Sequence, residues 1–92
     1  MSLSLDEFCG KIINSILSAE SHEDVVWVSG AAMQKLEDHH LKPHLIASFV
    51  AKIICELELF NPMDKDAQEW SNIRMARIQF KRIRQQLSAS VS

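Results

Sequence analysis

The 92 residues carry 47% apolar side chains, two glycines, two prolines and a formal net charge of −2. That length and composition support one hydrophobic core, exclude a disordered chain, and favour helices joined by short links. The near-neutral balance also excludes a uniformly basic body that would hold nucleic acid by charge alone. It hides an asymmetry, because residues 1–61 hold four Lys/Arg against nine Asp/Glu (−5) and residues 62–92 hold six against three (+3).

No apolar run reaches the length of a bilayer span, and no charged start followed by an apolar stretch and a small-residue cleavage site is present. The expectation is a cytoplasmic protein, one helical domain over residues 1–92, with 88–92 as a frayed tail. Cys9 and Cys55 lie in apolar periodic stretches without metal or redox spacing, which predicts reduced core thiols.

The first helix is expected over 5–18. Ser4 can cap it, Glu7 stands three residues on as in a capping box, and Leu5, Phe8, Cys9, Ile12, Ile13 and Ile16 form the apolar stripe. Ser21 with Asp24 repeats the start signal for a second helix over 22–39. There the β-branched run Val25, Val26, Val28 favours a strand, but Val25, Val28, Ala32 and Leu36 keep helical spacing, with Val26 and Met33 beside them.

Pro43 suits the first position of a third helix over 43–59 and disfavours helix at Lys42. Leu45, Ile46, Phe49, Val50, Ile53, Ile54 and Leu57 sweep about half its circumference, leaving Ser48, Lys52 and Glu56 as a narrow wet strip. "FNPMD" then offers Asn61 as cap, Pro62 in the first turn and Asp64 after it, so a fourth helix is expected over 62–87. Its seam is Ile73, Ala76, Phe80, Ile83 and Leu87.

Four amphipathic helices with short links predict an all-α, antiparallel four-helix up-and-down bundle, with a symmetric homodimer as a common way for so small a chain to bury more apolar surface. In a regular square, the second and fourth helices would take opposite corners.

Residues that break the core pattern are the clues to function. Trp27 points away from Leu36, with Gly30, Ala31 and Gln34 beside it; a bulky indole bordered by small residues suits a docking helix. Met75 and Ile78 lie off the seam of the last helix and form a second outward apolar strip. These five residues, Trp27, Gly30, Ala31, Met75 and Ile78, are the candidate partner-binding set.

The stretch "NIRMARIQFKRIR" aligns Arg74, Arg77, Lys81 and Arg84 in one stripe able to track phosphates, the alternative nucleic-acid-binding set. Only Trp70 could stack a base nearby, and no recognised nucleic-acid motif surrounds the stripe. Acid at the start of the helix and base at its end is also the order the helix dipole favours, and an acidic pole of Asp6, Glu7, Glu37 and Asp38 is expected to neutralise the basic end.

The cluster Asp38, His39, His40 and His44 has metal-ligating side chains, but Pro43 separates His40 from His44, and histidines at a helix end also serve as caps; no metal is expected. No phosphate loop, metalloprotease helix or nucleophile elbow is present, and Glu56 and Glu58 diverge on their helix. The expected role is therefore non-enzymatic and cofactor-free: a helical protein-protein interaction module that binds a protein partner or itself.

Overall fold

A computed structural model describes the backbone of residues 4–91 and the side chains of residues 4–87. Over those residues the chain is four α-helices, α1 (Leu5–Ser18), α2 (His22–Asp38), α3 (Pro43–Leu59) and α4 (Ala67–Val91), with one 3-10 turn at Pro62–Asp64. They form a compact up-and-down bundle, as the periodicity predicts. No helix among the described residues is long and apolar enough to cross a membrane.

The first three helices begin where their start signals place them. The Ser4 hydroxyl accepts from the Glu7 N–H, and the Ser21 hydroxyl accepts from the Asp24 N–H, each satisfying a donor that the first turn would otherwise leave bare. Pro43 opens α3 with no side-chain cap: it removes one of the first-turn N–H donors, and the Leu45 and Ile46 N–H groups donate to the Lys42 carbonyl.

The fourth helix corrects the expected range of 62–87. Asn61 does cap, its side chain accepting from the Met63 N–H at 3.0 Å, but it caps the 3-10 turn. Lys65 is extended and redirects the chain. Asp66 then starts α4 through a reciprocal capping box: its carboxylate accepts from the Glu69 N–H at 2.8 Å, and Glu69 accepts from the Asp66 N–H at 3.2 Å. Two start signals stand five residues apart, and the chain uses both. The backbone stays helical to Val91, while Ser92 and the side chains from residue 88 onward, where a frayed tail was expected, lie outside the described residues.

Helix α2 ends in a Schellman motif. The Leu41 N–H reaches the Leu36 carbonyl, the His40 N–H donates to the Glu37 carbonyl at 2.9 Å, and His40 takes the left-handed conformation at φ 54°. Leu41 packs against the core, the apolar contact that accompanies this cap.

The packing pattern departs from a regular square. Helices α1 and α4 each pack on the other three, while α2 packs on α1 and α4 and hardly touches α3, its neighbour in sequence. The expectation that the second and fourth helices take opposite corners is therefore wrong. They lie side by side and run the same way: His22 at the start of α2 bonds Ser71 near the start of α4 at 2.7 Å, and Glu37 at the end of α2 shares a groove with Gln86 and Leu87. The core between the helices is filled by Ile16, Leu36, Ile53, Leu57, Ile73 and Phe80, all fully buried, with Phe8 and Phe49 stacked across α1 and α3 at 5.4 Å.

Candidate interaction face

The α2/α4 contact explains why one predicted core residue is outside and one polar residue is inside. Val26, expected beside the core stripe, is 45% exposed, whereas Ser29 is 2% exposed. A small side chain at 29 lets α4 approach, and its hydroxyl, donating to the Val25 carbonyl at 2.9 Å, carries its own hydrogen bond into the seam. The sequence signal was present in the short polar residue itself, but only the identity of the neighbouring helix gives it meaning.

Above that seam runs a shallow groove. Its α2 wall is Val26, Gly30 and Met33, and its α4 wall is Gln79, Ile83 and Leu87. Toward the helix starts it continues between His22 and Met75, Ile78 and Trp70. Ile78 is 48% exposed and Met75 half-buried. Around Gly30 no atom lies within 4 Å of where a Cβ would stand, so the groove has a notch open to solvent there.

Trp27 is 73% exposed, in agreement with its outward placement in sequence, and Ala31 beside it is exposed as well. It flanks a second groove, between α1 and α2, with Phe8, Ile12 and Ala31. Because α2 and α4 adjoin, the two expected patches, Trp27 with Gly30 and Met75 with Ile78, lie on neighbouring helices of one monomer.

The basic stripe is divided. Glu58 on α3 pairs with Lys81 at 3.3 Å and stands 4.0 Å from Arg77. The expected acidic pole takes no part among the described residues: Asp6 pairs with Lys52, which holds its carboxyl below the ordinary range through that hydrogen bond and the ammonium charge. Arg74, Arg82 and Arg84 form no ion pair among the described residues. Arg74 lines the hollow that holds Met75 and Ile78, and Arg82 follows Ile78 by one turn on the same side of α4, the neighbour its spacing in the sequence predicts.

The remaining chemistry is dispersed. No group of three or more His, Cys, Asp or Glu side chains able to hold a metal occurs among the described residues, and His40 serves the end of α2. Both cysteines are free; Cys55 is exposed, a correction to its expected place in the core, because it falls beside the wet strip of α3. Cys9 is buried and donates to Glu56 at 3.4 Å; burial first, then that bond, push its thiol up to about 12. Such a thiol is a poor nucleophile.

No protein-family model, curated protein or solved structure matches the chain.

Proposed function

We propose that this protein is a non-enzymatic helical interaction module, binding a protein partner or a second copy of itself through the outward residues of α2 and α4, namely Trp27, Gly30, Ala31, Met75 and Ile78. The observation that carries this reading is the exposure of Trp27 at 73% on the same pair of adjoining helices as Ile78 at 48%. Solvated aromatic and branched apolar side chains around a glycine notch offer much apolar area to a partner at little steric cost. The module acts by occupancy, and it works in the cytoplasm, where free thiols such as Cys55 persist.

The alternative, a nucleic-acid edge of Arg74, Arg77, Lys81 and Arg84, is disfavoured by Glu58, whose carboxylate lies against two of the four charges. A phosphate would have to displace it.

The test immobilises the folded chain and compares the proteins it retains, its own copies included, across three forms: wild type, Trp27→Ala/Ile78→Asp, and Leu59→Asp. Leu59 is 77% exposed but sits at the end of α3, away from the face. Retention by wild type and Leu59→Asp, lost in the double variant, is the expected result. An identical retained set in all three forms overturns the reading. Salt-sensitive binding of duplex or single-stranded nucleic acid, abolished by Arg74→Gln/Arg84→Gln, would favour the alternative.

A further inference from the structure

The geometry points to a second copy of this chain as the occupant of the α2/α4 face, in a two-fold dimer whose axis runs along the groove. This rests on reading that face as a protein-binding surface and names its partner.

The face is self-complementary in charge. On its outer side α2 offers Glu23 and Glu37 and α4 offers Arg74 and Arg82, while Arg77 and Lys81 are turned to Glu58 on α3. The two helices lie side by side and parallel. A two-fold axis along the groove turns one copy over so that its α2 lies on the other copy's α4, pointing the same way and at the same height. Acid then covers base at both ends of the interface. The other in-plane axis, across the helices, would lay α2 on α2 and α4 on α4, with like charges opposed.

The same operation matches shapes. At about 100° per residue, the side of α2 facing out of the groove presents Val26, Gly30 and Glu37 with Trp27 on its outer flank, and the matching side of α4 presents Met75, Ile78 and Arg82 with Arg74 on its outer flank. The bond between His22 and Ser71 sets the register of the two helices. In that register Gly30 comes level with Gln79, so the second copy's Ile78 drops into the open notch at Gly30. Trp27 comes within about two residues' rise of the second copy's Arg74, which places the guanidinium against the indole face. Glu37 reaches the second copy's Arg82 from about one turn away.

The area is sufficient. Two adjoining helices, each about 10 Å wide and about 25 Å long, bury about 500 Å² per copy, or about 1,000 Å² in total, the lower bound for a specific interface. Trp27 and Arg74, flanking an apolar strip, are residue types that concentrate binding energy.

Gly30→Leu is the discriminating variant, because the notch is empty in the monomer and leucine favours helix over glycine. Sedimentation of the full chain from about 1 to 500 µM should show a dimer whose dissociation constant rises at least about tenfold in Gly30→Leu, while the melting temperature of the monomer does not fall. In a Cys55→Ser background, a Gly30→Cys chain mixed with an Ile78→Cys chain should form a disulfide-linked heterodimer faster than either chain links to itself. A monomer throughout that range, or faster linking of like with like, overturns the dimer. If the chain is monomeric yet Trp27→Ala/Ile78→Asp still loses a different protein, the dimer fails and the reading of the face survives. If neither self-association nor any other association responds to these changes, both fail.

Discussion

The side-chain amide of Asn72 donates to the backbone carbonyl of Ala19 at 2.7 Å, joining α4 to the end of α1 across 53 residues of sequence. Asn72 is fully buried, and its own oxygen accepts from Gln68 at 2.9 Å. Ala19 follows the last turn of α1, where no glycine is present to close the helix, so an amide from another helix satisfies the carbonyl there. Asn72→Ala should therefore destabilise the fold by about 1–3 kcal/mol, the cost of leaving a buried acceptor bare. Urea unfolding would show a lower midpoint with an unchanged slope.

His40 should gain from replacement. It occupies the left-handed position of the Schellman motif, which glycine takes without steric cost. His40→Gly should raise stability by about 0.5–1 kcal/mol. A metal-binding role would predict instead a loss of zinc- or nickel-dependent stabilisation; the expected shift in melting temperature on adding either metal to the native chain is nil.

Size at position 29 should matter more than polarity. The Ser29 hydroxyl bonds only the Val25 carbonyl of its own helix, so Ser29→Ala should change stability by less than about 0.5 kcal/mol. Ser29→Leu forces α2 away from α4 and should cost about 1–3 kcal/mol by overpacking. Thermal unfolding of the two variants separates the effects.

The two thiols should differ sharply. A disulfide reagent at pH 8 should titrate Cys55 at once and Cys9 only on unfolding, since Cys9 is buried and its thiol is pushed up to about 12. Because the folded state holds that proton more tightly than the unfolded chain, whose thiol ionises near its ordinary value of 9.0, this contribution to stability is complete below pH 9 and declines as pH rises toward about 12. Cys9→Ala should lessen the fall in unfolding midpoint between pH 8.5 and about 10.5 relative to wild type.

Glu58 should restrain the basic stripe without holding the fold. Its partners are partly exposed, so Glu58→Gln should cost less than about 1 kcal/mol. The same change leaves Arg77 and Lys81 without their carboxylate and should tighten weak, salt-sensitive retention on a polyanion such as heparin. A salt-elution profile on a heparin column checks this.

Local chemistry determined much of the bundle. Ser4, Ser21 and Pro43 place three helix starts, and the spacing of Ile46, Phe49, Val50, Ile53 and Leu57 marks the buried side of α3, because caps and periodicity act within a few residues. Trp27 was legible as outward for the same reason. What the sequence alone did not settle is which helix adjoins which: four amphipathic stripes can pair in more than one arrangement, and the choice depends on side-chain fit between segments far apart in the chain. Tertiary packing put α2 against α4, which buried Ser29 and left Val26 exposed, and packed α4 on α1 and α3, which set Asn72 on the Ala19 carbonyl and gave Lys81 to Glu58. It also brought an acidic helix and a basic helix side by side on one face, a juxtaposition no window of residues contains.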